Sequence, residues 1–267
     1  MHKHILITGS TDGIGNLTAL KLAKEGHFMY LHGRNEAKLN AVVSEFKEVS
    51  KNPNIKGYVA DFSDLNAVKI MAERVKNDIP KLDILINNAG IFKTKDTFAK
   101  NKLDYRIAVN YLAPFILTNA LLSNLKNTES PRIINLSSAA QSAVKKGVLI
   151  GATAVNSSEA YAQSKLALTM WSFDLAKQEP NITIIAVNPG SLLNTKMANE
   201  AYGQHWSPAE KGVEILYALA MHSSHVDKSG HYFDNDKGIY RNAHPDAYDQ
   251  LKIENLLEST KLILSDH

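Results

Sequence analysis

Short runs of β-branched and other apolar residues recur along the chain, separated by stretches of helical period, and this alternation constrains the fold more than any other feature. The runs lie near 3–8 (KHILIT), 27–32 (HFMYLH), 56–61 (KGYVAD), 82–87 (LDILIN), 132–137 (RIINLS) and 181–187 (NITIIAV), with a seventh near 230–234 (GHYFD). Amphipathic stretches such as LTALKLAKEG and DLNAVKIMAERVKN fall between them. Strands that alternate with helices pair in parallel, because each helix carries the chain back to the same end of the sheet. The runs are apolar at nearly every position, as strands covered on both faces must be. The expected architecture is a doubly wound parallel α/β sheet of about seven strands with helices on both faces. No linker, repeat or break in composition divides the chain, so residues 1–267 read as one domain.

Composition narrows the function. Apolar residues make up 44% of the chain and charged residues 21%, enough to bury a sizeable core. A net charge of +3, with no basic run interleaved with aromatics, argues against a nucleic-acid partner. Cysteine is absent, which removes disulfides, cysteine-ligated zinc and a thiol nucleophile. The ten histidines include no HExxH and no paired spacing with carboxylates, so no metal is expected. No apolar segment approaches the roughly 18 residues that span a bilayer, so no membrane partner is expected. The N-terminus enters an apolar run and a glycine loop with no room for a signal peptide, and a cytoplasmic setting is the expectation.

The first strand ends in TGSTDGIG, residues 8–15, where Gly9, Gly13 and Gly15 precede a helix starting near Ile14. Glycines there allow a tight turn, close approach of a pyrophosphate and close packing of helix on strand; the free N–H groups of the helix start face the anion. With Ser10, Thr11, Asp12 and Ile14 they make up a candidate dinucleotide loop of Rossmann type, in the strand–loop–helix context that such a loop requires. The second strand ends LHGRN, roughly 20 residues on, where the adenosine ribose should lie. An acidic residue there would hold the 2′-hydroxyl; Gly33 offers none and Arg34 offers a guanidinium suited to a 2′-phosphate. That favours NADP(H) over NAD(H), against the plainer reading of Arg34 as a solvated surface residue. Asp12, where some NADP binders carry a second base, tempers the preference and leaves room for NAD(H).

Two Tyr–Lys pairs stand four residues apart, Tyr161–Lys165 in YAQSK and Tyr248–Lys252 in YDQLK. On a helix each pair shares a face, and a cation beside a phenol favours the phenolate, the makings of a proton-transfer centre. Spacing alone does not choose between them.

Taken in order, TGSTDGIG, NNAG (Asn87 to Gly90), NLSS (Asn135 to Ser138), YAQSK and NPG (Asn188 to Gly190) resemble the single-domain short-chain dehydrogenases/reductases. The resemblance runs from Thr8 to about Gly190 and more loosely to GHYFD; the long segment before the tyrosine is loosely similar to the retinol-dehydrogenase-like reductases. It implies hydride transfer between a nicotinamide and a small-molecule carbonyl or alcohol. It selects Tyr161, which follows a strand ending in a serine pair and precedes the strand ending in NPG, and leaves Tyr248 as a surface residue on a charged C-terminal helix. By the resemblance Tyr161 gives the proton, Lys165 lowers the phenol pKa and binds the nicotinamide ribose, and Ser138 bonds the substrate oxygen. Ser138 is preferred to Ser137 as the second of the pair; the residues alone leave the two equal, since alternation sends only one toward the substrate. The resemblance also gives Asn110 a backbone-held water linked to the lysine, and Pro114 supports this by having no N–H for the Asn110 carbonyl. Asn88, Ala89 and Gly90 would pack behind the cofactor, Asp61 would meet the adenine amino group, and Pro189 and Gly190 complete the cofactor site. A homodimer or homotetramer is implied, with contacts through helices around 97–125 and 157–178.

Two departures stand out. The insertion AAQSAVKKGVLIGATAVNSSEA lengthens the segment from Ser138 to Tyr161, and is read as shaping a substrate pocket, with a surface flap as the alternative. Thr195 lies one residue later than the resemblance expects for a threonine at the cofactor amide. Loop 191–206 carries Leu192, Leu193, Met197, Tyr202 and Trp206, apolar enough for a lid over a hydrophobic ketone or for ordinary packing; His205 reads as structural. Two rivals remain. A dinucleotide-binding regulator without turnover should have lost the Tyr, Lys or Ser, and an epimerase or dehydratase needs a larger C-terminal domain than the chain holds after Gly190.

Overall fold

The first strand, β1 (His4–Ile7), sits near the centre of the sheet and sends Ile5 and Ile7 to one face and Leu6 to the other. The computed structural model describes residues 2–99, 102–203 and 206–265, with the side chains of 200–202 left aside. From β1 the chain continues through α1 (Gly13–Lys24), β2 (Phe28–Gly33), α2 (Glu36–Ser50), β3 (Ile55–Val59), α3 (Leu65–Asp78) and β4 (Ile84–Asn87). A short α4 (Tyr105–Ile107) passes through one wide turn at Ala108–Leu112 into α5 (Ala113–Lys126), which leads to β5 (Arg132–Leu136). Then follow α6 (Lys146–Leu149), α7 (Ser157–Gln178), β6 (Thr183–Asn188), α8 (Lys196–Tyr202), α9 (Ala209–Met221), β7 (His231–Asp234), β8 (Ile239–Arg241) and α10 (Gln250–Ser265).

The eight strands among the described residues join one sheet in the order β3-β2-β1-β4-β5-β6-β7-β8. The first seven run parallel, and only β8 pairs antiparallel, opposite β7. The expected doubly wound sheet is present, extended by this three-residue edge strand. Helices α1, α2 and α9 cover the face that holds Ile5, Ile86, Ile134 and Val187. Helices α3, α5 and α7 cover the other, over Leu6, Leu85, Ile133 and Ile184. Strand order reverses between β1 and β4, which opens a crevice at their carboxyl ends.

The run 105–126 corrects one sequence expectation. It is 22 residues long and holds an 18-residue window of mean hydropathy 1.2, enough by length and composition for a membrane span. Its most apolar window is 72% buried against the sheet and its neighbouring helices, so core packing accounts for its character. The wide turn within it has a local cause. Pro114 cannot donate to the Asn110 carbonyl, and the ladder resets with the Ala113 N–H bonding the Ala108 carbonyl five residues back.

The C-terminus also departs from expectation. Tyr248 closes a 3-10 turn (Pro245–Tyr248) ahead of α10, is 51% exposed, accepts the Ala243 N–H (3.0 Å) and packs its ring on Phe173 (5.3 Å). Lys252 bonds Asp246 instead (2.6 Å), so YDQLK is not one helical face. This turn and α10 lie along α7, where the buried hydroxyls of Tyr111 and Thr260 meet at 2.8 Å. A subunit contact through that side of α7 would require α10 to move. Thr260→Val keeps the shape and strands the Tyr111 hydroxyl, so it should cost about 1–3 kcal/mol in chemical denaturation, while Thr260→Ser should cost less than half of that.

Candidate active site

The glycine loop is shaped by its neighbour across the crevice. Gly9 has φ 63°, and a Cβ there would come 2.8 Å from the Ala89 Cα. A Cβ on Gly15 would overlap the Asn88 side chain. That side chain donates to the carbonyls of Thr8 (2.8 Å) and Gly9 (3.0 Å), and the Thr8 hydroxyl accepts the N–H groups of Asn88 and Ala89 (3.0 Å each). Asp12 caps α1 by accepting the Gly13 N–H at 2.9 Å.

A cleft of about 1210 Å³ follows the carboxyl ends of the strands. Gly9, Thr11, Asp12, Gly13, Ile14, Arg34, Asp61, Asn88, Ala89, Gly90, Pro189 and Gly190 all line it, as do Ser138, Tyr161 and Lys165. Ser10 and Gly15 do not. Ser10 is buried, its hydroxyl exchanging bonds with the His32 backbone, and Gly15 is spent on the contact with Asn88. Asn110 is also buried behind the cleft.

Two side chains at the adenosine end escaped the sequence reading. Lys38 lines the cleft and pairs with Asp12 at 2.8 Å, which pulls the Asp12 pKa down. The base sought within the glycine loop therefore comes from the first turn of α2, four residues after Arg34; a second cation so near the end of β2 was the available signal. His32 accepts the Gly9 N–H at Nδ1 (3.0 Å), so its proton sits on Nε2, 3.0 Å from the Ala60 carbonyl. Burial lowers its pKa to about 4, so a neutral ring ties the glycine loop to the end of β3.

At the other end, alternation along β5 separates the serines. Ser137 is buried, its hydroxyl 2.7 Å from that of Thr169 and 3.2 Å from the Lys165 carbonyl. Ser138 is half-buried and faces the cleft, with its Oγ accepting the Ala140 N–H (3.1 Å). Asn156 caps α7, whose first turns carry Tyr161 and Lys165. The Lys165 Nζ lies 5.5 Å from the centre of the Tyr161 ring and donates to the Leu136 carbonyl at 2.7 Å. Burial brings the Lys165 pKa down to about 7. Asn110 holds the strand exit after Gly90, accepting the Ile91 N–H (2.8 Å) and donating to the Ile91 carbonyl (3.0 Å) and Ser164 (3.0 Å). Gly90 keeps this corner open, since a Cβ would stand 3.4 Å from the Lys165 Nζ.

The insertion is not a pocket wall. Of residues 139–158 only Ala139 and Ala140 line the cleft. Val148 and Leu149 are buried, Gly151 packs on Lys102–Leu103, and the Lys145 N–H bonds Gln163, so the segment is anchored at these points while most of its other residues stay exposed. Thr195 caps α8, with its methyl carbon 3.7 Å from where a Gly13 Cβ would be, beside the glycine loop. Leu192, Leu193 and Met197 line the cleft, whereas Trp206 lies outside it and is 73% exposed. His205 and the Tyr202 side chain lie outside the described residues.

The arrangement defines a dinucleotide-binding α/β protein with titratable groups at one end of its cleft. Residues 3–205 match the short chain dehydrogenase family model. The chain is 31% identical over 250 residues to retinol dehydrogenase 12 of Mus musculus (89% of this chain, 79% of that protein). It is 30% identical over 255 residues to polyprenol dehydrogenase of Homo sapiens (87% and 76%). A short chain dehydrogenase from Escherichia coli CFT073 complexed with NADPH superposes with TM-score 0.71 at 27% identity, covering 87% of this chain and 96% of that one. The chain belongs to the short chain dehydrogenase family, is similar within it to the retinol dehydrogenases, and is an NAD(P)-dependent dehydrogenase/reductase.

Lys165 gives a test with a definite sign. Its pKa falls from 10.5 to about 7 on folding, so the unfolded chain binds the extra proton between those values. Stability therefore rises as pH rises from 7 to 10.5, and below 7 the fold carries the full cost of a buried ammonium. Lys165→Met should raise the melting temperature of the ligand-free protein at pH 6.5 and lose that advantage by pH 10. A variant less stable at both pH values would contradict this account.

Proposed function

We propose that this chain is an NADP(H)-dependent reductase of hydrophobic carbonyl compounds, with residues 1–267 acting as one catalytic domain and Tyr161 as the proton donor. The observation that carries the reading is the convergence of Ser138, Tyr161 and the buried Lys165 in the cleft that begins at the glycine loop. Support for the cofactor comes from the close backbone approach at Gly9 and Gly13, the N-terminus of α1, and two cations, Arg34 and Lys38, with no carboxylate at the end of β2. The E. coli relative complexed with NADPH points the same way.

When bound, the nicotinamide supplies the hydride. This chain's residues manage the proton and the charge. Ser138 donates to the substrate oxygen as negative charge gathers there. Tyr161 passes its phenolic proton to that oxygen, and the Lys165 ammonium stabilises the phenolate left behind. Lys165 also binds the ribose hydroxyls, which would replace its bond to the Leu136 carbonyl. The Asn110 carbonyl holds a water that returns a proton toward Lys165. These roles are symmetrical in direction; the NADP(H) preference favours reduction, because cells keep NADPH reduced. Phe92, Tyr105, Val109, Leu192, Leu193 and Met197 give the substrate end apolar walls, in keeping with relatives named for retinol and polyprenol.

NADPH consumption against aldehydes, ketones, quinones and apolar enals tests the reading. Tyr161→Phe should lower kcat by about 100-fold or more, and Tyr248→Phe should leave it unchanged. Tight NADPH binding without turnover anywhere in the panel would count against the reading. Arg34→Ala and Lys38→Ala should each weaken NADPH binding about 10-fold, the scale of one charge-assisted hydrogen bond. NADH binding should be untouched by either, and equal affinities for the two cofactors in the parent protein would refute the NADP(H) preference.

A further inference from the structure

Arg106 is 1% exposed, a cation the cleft never meets. Its Nε and Nη2 dock on the two oxygens of Asp104 at 2.9 and 2.7 Å. That fork aims Nη1 at three acceptors: the Phe92 carbonyl (3.2 Å), the Thr94 hydroxyl (3.2 Å) and the Ser157 hydroxyl (3.3 Å). The first two lie on the chain leaving β4, and the third opens α7 one turn before Tyr161. The Phe92 ring stands 4.9 Å from the Tyr161 ring, inclined at 59°.

We infer that Arg106 is a positioning residue for Tyr161, fixing both the backbone that carries the Phe92 ring and the start of the helix that carries the phenol. The inference rests on the reading of Tyr161 as the proton donor. Asn110 already pins Ile91, so with Arg106 in place the wall segment is held at three successive points, Ile91, Phe92 and Thr94. Asp104 matches the Arg106 charge, so the pair acts on Tyr161 through geometry, with little net field. Burying a guanidinium and a carboxylate is costly, and a brace of neutral side chains could span the same gap. What the guanidinium adds is direction, since a planar fork locked on one carboxylate leaves its third nitrogen aimed at a fixed point. Lysine can pair with Asp104 but cannot do both.

The test is Arg106→Lys, which leaves no unpaired buried charge. NADPH affinity should be unchanged, because Arg106 is outside the cleft, and this also shows that the variant folds. The expected change is a fall in kcat of about 10- to 100-fold, the cost of a small misplacement of a reacting group. The Tyr161 titration, read as the ultraviolet difference between each protein and its Tyr161→Phe counterpart, should shift its midpoint as the phenol loses its fixed place against Phe92 and Lys165. An unmoved midpoint in folded Arg106→Lys overturns the inference, whatever kcat does. The titration needs no substrate. Absence of turnover in the parent protein would thus refute the proposed function while the titration still decides the role of Arg106. Should Arg106→Lys fail to bind NADPH, Phe92→Leu removes the linking ring without uncovering a charge, and a parental midpoint there overturns the inference equally.

Discussion

The fold turns on how closely the loop after β1 can approach the end of β4. Two glycines without side chains at 9 and 15 let Asn88 reach across and bond the carbonyls of Thr8 and Gly9, while the Thr8 hydroxyl returns two bonds to Asn88 and Ala89. These bonds satisfy polar groups that the strand ends would otherwise bury unpaired. They also hold the start of α1 at the crevice where strand order reverses. His32 adds a third strand to the assembly by joining Gly9 to Ala60. The loop, the end of β3 and the NNAG turn therefore form one hydrogen-bonded body, and the cofactor end of the cleft is built before any ligand arrives.

A second polar chain runs beneath the reaction centre. The Asn87 amide donates to Thr118 and Asn135, and the Asn135 amide donates to Ser172 on α7. Ser137 and Thr169 make a parallel link two residues closer to the cleft. In a medium of low polarity such bonds have no water to fall back on, so α7 cannot slide or rotate on the sheet without leaving several unmade. That fixes the phase of α7, and with it which side chains of a helix buried on most sides look into the cleft. Tyr161 and Lys165 face it as a consequence of bonds made by Ser172 and Thr169, one to three turns further along.

Much of this was legible in the sequence because its causes are local. Strand runs, the glycine loop and the two-residue alternation that separates Ser137 from Ser138 each follow from neighbours along the chain. What escaped depends on contacts between distant segments. Lys38 serves the glycine loop only because α2 brings it back over Asp12. Ser10 and Gly15 sit in the loop's sequence but under its surface, bonded to His32 and packed on Asn88. The insertion of 139–160 looks like a pocket wall when read alone, yet Val148 and Leu149 are spent in the core against distant parts of the chain. Strand β8 has three residues, too few to show a period, and exists because β7 offers it an edge. Arg106 reads as an ordinary helix residue until the chain after β4 folds over it.

The turn from Ser191 to Thr195 shows how the fold ties the entry to α8. Its neck is tied: Trp206 and Ser207 donate to the Leu192 carbonyl, and the Asn194 N–H donates to that of Ser207. Its entry is tied again by Asp236, which takes the Ser191 N–H at 2.8 Å, and by Asn235, which bonds the Pro189 carbonyl. Leu192 holds a left-handed conformation (φ 48°), a strain of about 1 kcal/mol or more that persists only because both sides of the neck are pinned. Beyond the neck, α8 carries Met197 to the cleft wall, and its cap Thr195 sits beside the glycine loop. The same bonds that pin Leu192 also place Pro189 and Gly190 at the cleft, so one set of ties shapes its wall from Pro189 to Leu193.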